Sequence, residues 1–131
     1  IRTAEITGAV SVVAANSEVR AEMRTRQQAW AAERGGGVIE SRDIGSVVFP
    51  EAVLKVYLTA DPEVRAARRA KELTDADYDQ VAADIAARDA QDSSRADSPL
   101  VEPDGAVTVD TTGLGIAAVV ELIAGLVEER S

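Results

Sequence analysis

The chain contains no cysteine and no histidine. Without thiols there is no disulfide, no thiolate nucleophile and no cysteine-held zinc. Without imidazole there is no histidine general acid or base. Lack of cysteine is compatible with a reducing compartment. Aromatic residues make up only 3% of the chain, so a core has to be built from Val, Ile, Leu and Ala. Positive charge is the minority: 14 Lys and Arg stand against 23 Asp and Glu, for a net charge of −9. Such a balance argues against broad binding to nucleic acid or to an anionic membrane. It also makes any local cluster of arginine conspicuous. No apolar run approaches the length of a membrane span, and no signal peptide opens the chain. The start at Ile1 rather than Met leads to the expectation of processing, or of a fragment.

What is present bounds the fold. The 131 residues suffice for one domain at most, and 46% of them are apolar, enough for a core. Residues 3–15 read as a short helix. Asn16 or Ser17 can cap a second helix over about 17–33, which Gly35-Gly36-Gly37 ends. The glycine triplet is not a phosphate cradle, because no Gly-Lys-Ser/Thr follows and the next residues read as a strand. Val38-Ile39-Glu40 is that brief strand, with Ser41 to Gly45 leaving its end. Val53 to Leu58 is the clearest strand, and its lack of alternation predicts burial on both faces. Asp61-Pro62-Glu63 opens a helix with Asp as cap and Pro at the first helical position. Thr74-Asp75-Ala76-Asp77 resembles a capping box for the next helix. Ala106 to Val109 is a third strand ending at Asp110, and residues 115–129 form a last amphipathic helix. Strands alternating with helices predict an α/β layered fold with a parallel sheet.

Three clusters could carry chemistry. On a helix, Tyr78, Val81, Ala82 and Ile85 share an apolar face, and steps of three and four continue it into Arg88, Asp92 and Arg95. Charges that extend a buried face point to a cleft, and two arginines around an aspartate suit phosphate oxygens and hydroxyls. The same spacing also fits a plain ladder of helix salt bridges. Glu40-Ser41-Arg42-Asp43 leaves the carboxyl end of an expected core strand, where α/β sheets place ligands; the alternative is an ion pair that fixes the turn. Arg65, Arg68 and Arg69 fall at i, i+3 and i+4, with Lys71 beyond and no acid among residues 64–71. They could clamp polyphosphate as a lid or form a solvated basic face. Ser11 and Arg20 taken alone have ordinary uses, in a helix backbone bond and at a surface.

The segment Glu40-Ser-Arg-Asp-Ile-Gly-Ser-Val-Val-Phe-Pro50 resembles the bacterial cytidylate kinases. Their usual wording here is Asp or Glu, Gly-Arg-Asp, a hydrophobe, then Gly-Thr-Val-Val-Phe-Pro. The likeness continues in order through nearly the whole chain. Ile1-Arg-Thr opens the family segment that leads to Ser11. Leu54-Lys-Val-Tyr-Leu-Thr-Ala60, Glu63 and Arg65-Ala-Ala-Arg-Arg69 match the start of the family's lid. Arg88-Asp89, Asp92-Ser-Ser-Arg95 and Ser98-Pro-Leu100 match its late signature, and Asp110-Thr-Thr-Gly-Leu114 its last strand exit. Ser41 stands where Gly is common, which is tolerable if the backbone there does not need a positive φ. Ser46 stands for Thr, and Gly115 for a Ser helix cap.

The resemblance implies phosphoryl transfer from ATP to CMP or dCMP with Mg²⁺, as part of pyrimidine nucleotide metabolism in the cytoplasm. It implies that Ser11, Arg20 and Asp43 contact the cytosine and that Arg88 and Asp92 hold the sugar. Arg42 and Arg95 would grip the acceptor phosphate, and Arg65, Arg68 and Arg69 would belong to the closing lid; these five are the candidate catalytic residues. The expected fold is a parallel-sheet P-loop nucleoside monophosphate kinase, incomplete here because the first strand and the P-loop are missing from the chain. Residues 1–131 then form the C-terminal portion of a single kinase domain, with about 61–92 as lid and ligand-facing helices. No residue of this chain is expected to cradle ATP or ligate metal. The full-length protein is expected to be a monomer that binds neither nucleic acid nor membrane. A sheet without its central strand should leave a gap and exposed apolar surface. The alternatives are a truncated, non-catalytic nucleotide-binding module, or a related kinase for UMP or AMP.

Overall fold

In the computed structural model, residues 4–73 and 77–130 are described, with the side chains of 4, 5, 7, 8 and 11 outside that description. The element order is α1 (Ala4–Ala14), α2 (Ser17–Arg34), a single π turn (Ile44–Val48), β1 (Val56–Thr59), α3 (Pro62–Glu72), α4 (Tyr78–Ser93), β2 (Val107–Asp110) and α5 (Ile116–Glu128).

Local chemistry accounts for most helix ends. The Asn16 carboxamide accepts from the backbone N–H groups of Glu18 (2.9 Å) and Val19 (3.2 Å) and starts α2. Gly35 ends it in the left-handed conformation (φ 69°), with Gly35 N–H donating to Ala32 O and Gly36 N–H to Ala31 O, the paired bonds of a Schellman end. Asp77 caps α4 by accepting from Asp79 and Gln80 N–H. In the expected capping box Asp77 would be the last member, with Thr74 as cap; instead Asp77 is itself the cap and α4 starts at Tyr78. Residues 74–76 lie outside the described residues, as do Ile1-Arg-Thr. Asp61 precedes Pro62 as expected, but its side chain makes no cap bond. Instead its backbone N–H donates to Thr112 Oγ1 (2.9 Å), which ties the start of α3 to the end of β2.

β1 and β2 pair in parallel, in register from Val56 with Val107 to Thr59 with Asp110. The crossover between them carries α3 and α4, which pack on each other around Ala66 and Val81, both buried. Parallel pairing places both strand carboxyl ends on the same side, next to the start of α3.

Four expectations need correction. Residues 38–40 do not form a strand. No described segment pairs with them, and Val38 is 92% exposed. An unpaired extended segment gains no ladder bonds. Segment 41–45 therefore leaves not a core strand but the loop between α2 and the π turn. The strand expected over 53–58 begins only at Val56, where the register with Val107 begins, and it is not buried on both faces: Leu58 is 53% exposed. Finally, α4 ends at Ser93, so Arg95 stands beyond the helix. Ser41 keeps a negative φ, as its substitution for Gly requires; among described non-glycine residues only Ser98 is positive (φ 56°).

The core is thin. The buried apolar residues described are Val48, Ala60, Ala66, Val81 and Val109, accompanied by buried Asp92, Ser98 and Thr111. Among the described residues, no helix is long and apolar enough to cross a membrane.

Candidate active site

Arg42 and Asp43 are adjacent in sequence, and their side chains serve two different neighbours. Asp43 pairs with Arg20 of α2, and both side chains are mostly buried. Ser41 Oγ donates to the other Asp43 oxygen (3.2 Å), and Arg20 Nη1 donates to Ala14 O at the end of α1 (3.1 Å). These groups edge a cleft of about 450 Å³, whose apolar wall includes Val10 and Val13 of α1 and Val19 and Met23 of α2. An apolar slot with an acceptor and a donor at its rim suits a flat, polar-edged ring. Ser11 belongs to α1, but its side chain lies outside those described.

Arg42 faces the other way, toward α4. Its Nη1 donates to Asp89 Oδ1 (2.8 Å) and also forms an ion pair with Asp92. Asp92 is wholly buried at the last turn of α4. A buried carboxylate requires cations and hydrogen bonds. Arg95 supplies the main partner, folding back from beyond the helix, and Arg88 Nε stands 3.8 Å away. Leu100 N–H donates to Asp92 O (2.9 Å) and so holds the 94–100 loop against the helix. Asp89 uses its second oxygen for Arg65 of α3. Four guanidiniums thus converge on two carboxylates, an excess of two positive charges in a chain that is otherwise strongly acidic.

The cluster is not saturated internally. Arg88 Nε, Arg95 Nε and Asp92 Oδ2 are buried without a hydrogen-bond partner, as is Arg20 Nε at the separate cleft. Asp92 Oδ2 lies within ion-pair distance of Arg42 and Arg88, yet accepts a hydrogen bond from neither; the Arg88 contact, at 3.8 Å, is too long for one. Spare donors beside a spare acceptor are the complement of a ligand that carries phosphate oxygens together with hydroxyl groups.

The three arginines of α3 divide. Arg65 reaches the cluster through Asp89. Arg68 turns to the β2 exit, where its guanidinium donates to Thr111 Oγ1 (2.9 Å), Thr111 O (2.6 Å) and Leu114 O (3.2 Å). Arg69 pairs with Glu72 on its own helix (2.8 Å). Sequence reasoning missed Asp89 as a bridge, although it lies three residues before Asp92 and therefore on the same side of α4. It also missed Thr111 as the acceptor for Arg68; nothing in the spacing of residues 68 and 111 announces that contact.

Among the described residues, no three or more Asp, Glu, His or Cys are grouped to hold a metal ion. Asp89 and Asp92 are already neutralised by four arginines, and fixed cations beside them oppose Mg²⁺, so the cluster is a poor seat for that metal. Two outlying carboxylates are held below the ordinary value of 3.8. Asp97 is lowered by a hydrogen bond from Ser98 and then one from Ser17, and Asp110 by the hydroxyl and then the N–H of Thr112.

The sequence profile of the cytidylate kinases matches residues 1–129. A cytidylate kinase of Xanthobacter autotrophicus is 48% identical over 99% of this chain and 64% of its own length. One of Mycobacterium leprae is 44% identical over 100% of this chain and 60% of its own. A bifunctional pantoate ligase/cytidylate kinase of Synechococcus is 47% identical over 99% of this chain and 27% of its own. The chain therefore spans about three fifths of the length of the single-function relatives named here.

Proposed function

Because the chain belongs to the cytidylate kinase family, we propose that the protein it represents transfers the terminal phosphate of ATP to CMP or dCMP, and that this chain supplies the acceptor site. The observation that carries the proposal is the divergence at Arg42 and Asp43. Asp43 edges an apolar cleft with Arg20 and Ser41; Arg42, the residue before it, belongs to the arginine cluster. A nucleoside monophosphate has the same polarity, a flat base at one end and a dianion at the other.

Each residue has a role in this account. The Asp43 carboxylate accepts from the cytosine amine, and Arg20 donates to the cytosine carbonyl; uracil, with a carbonyl in place of that amine, would meet an acceptor with an acceptor. Ser11 joins them on the same edge. Arg88 and Asp92 hold the sugar hydroxyls. Arg42 and Arg95 take the phosphate oxygens, and Arg65 with Arg69 carries positive charge toward the transferring group. Arg68 enters only by family resemblance, because its guanidinium is already satisfied at the β2 exit. Phosphoryl transfer asks for alignment and charge stabilisation rather than covalent help, which an arginine cluster provides. ATP and Mg²⁺ are taken from the family alone; the described residues hold no group of three or more potential metal ligands, and no step here is routed through the metal.

The test is ADP release by the full-length protein that carries this chain, with ATP, Mg²⁺ and CMP, and with UMP and AMP as controls. Strong preference for CMP supports the kinase. CMP binding without turnover favours the alternative, a nucleotide-binding module without transfer chemistry. Equal use of UMP or AMP would overturn the cytosine assignment.

A further inference from the structure

We propose that Asp89 is a positioning residue, which aligns Arg42 and Arg65 so that both address the same phosphate; the inference rests on the acceptor site described above. The two arginines come from distant parts of the chain. Arg42 follows the glycine-rich turn after α2, and Arg65 sits on the second turn of α3. Both are long, flexible and of like charge, and left alone they separate. Asp89 spends one oxygen on each: Oδ1 accepts from Arg42 Nη1 at 2.8 Å, and Oδ2 pairs with Arg65. No hydrogen bond or ion pair of the Arg65 side chain to any other described residue accompanies this one. Asp89 is therefore the link that fastens α3 to the acceptor cluster.

Asp92 differs from Asp89 in both burial and load. It is wholly buried and gathers Arg42, Arg88 and Arg95, all outside α3. Asp89 keeps a quarter of its side chain exposed, beside Arg42 and Arg65 that are each about a third exposed. Its carboxylate lies at the open side of the cluster, where a ligand phosphate would arrive. Arranging two guanidiniums in advance spares a ligand the ordering of two long side chains.

The experiment compares Asp89→Asn and Asp89→Glu with the unaltered chain by calorimetric titration with CMP and with cytidine, which lacks the phosphate. In parallel, NMR follows the Nε–Hε signals of Arg42 and Arg65 without ligand. The expected result for Asp89→Asn is a loss of CMP affinity of about fivefold or more, unchanged cytidine binding, and motional averaging of both arginine signals; Asp89→Glu restores part of each. Unchanged or tighter CMP binding would overturn the inference and reduce Asp89 to a competitor of the phosphate. Equal losses for CMP and cytidine would also overturn it, as the mark of a general structural defect. If the unaltered chain binds no CMP, the acceptor-site reading falls, and the positioning role is then decided by the arginine signals: averaging in Asp89→Asn upholds it, and unchanged signals overturn it.

Discussion

Asp92 is the residue on which the cluster turns. It has no exposed surface, and its charge is tolerable only because Arg95, Arg42 and Arg88 surround it. Arg95→Ala would leave a buried carboxylate short of its main partner, and a loss of about 3–5 kcal/mol in urea unfolding is expected. A loss under about 1 kcal/mol, the range of a surface pair, would contradict that assignment. The periodicity that carries the apolar face of α4 into Arg88 and Asp92 was legible in the sequence. The pairing of Arg95 with Asp92 was legible too, as the i, i+3 step of a salt-bridge ladder; that Arg95 makes it from beyond the end of α4 was not.

Asp110 offers a residue-scale test by pH. Thr112 holds its carboxyl below the ordinary value, so the folded state binds fewer protons than the unfolded state in acid. The associated stability is present above pH 3.8 and is lost as pH falls through the lowered value. Thr112→Val should therefore move the Asp110 carboxyl titration, read by ¹³C NMR, upward toward its ordinary value. An unmoved titration would exclude the Thr112 hydroxyl as the cause.

At the scale of elements, two arginine side chains fasten α3, Arg65 to Asp89 and Arg68 to the β2 exit. Thr111, the buried receiver of Arg68, also donates to Thr59 O across the sheet (3.0 Å). Arg68→Ala would unmake three hydrogen bonds and leave Thr111 O and Leu114 O with one bond fewer. The expected cost is about 1.5–3 kcal/mol, with faster amide exchange in α3 and at 111–114. Arg68→Lys keeps the charge but loses the fork, and should recover little of it. Full recovery by Lys would mean that charge alone matters there. The helices were legible because their caps are local: Asn16, Gly35 and Asp77 act within a few residues. The strands were less so. Val38-Ile39-Glu40 has the composition of a strand, but a strand exists only with a partner, and composition does not supply one.

For the whole molecule, the alternation of strands and helices announced a parallel α/β sheet, and the two strands among the described residues are parallel. The extent of burial was not legible in the same way, since it depends on what covers each face. Val38, Leu58 and Ile116 are 92%, 53% and 87% exposed, the pattern of an apolar surface without a cover. The isolated chain should consequently bind an apolar fluorescent dye and associate with rising concentration in sedimentation experiments. A monodisperse monomer without dye binding would contradict this reading of the exposed apolar residues.

The central claim, that residues 41–43 join a base-reading cleft to a phosphate-binding cluster, is tested most directly by calorimetric titration of the chain with CMP and with UMP, repeated on Asp43→Asn. CMP should bind at least about tenfold more tightly than UMP, a difference of about 1.4 kcal/mol. Asp43→Asn should erase most of that preference while leaving phosphate-dependent binding. Equal affinity for the two nucleotides, or a preference that survives the substitution, would contradict the account.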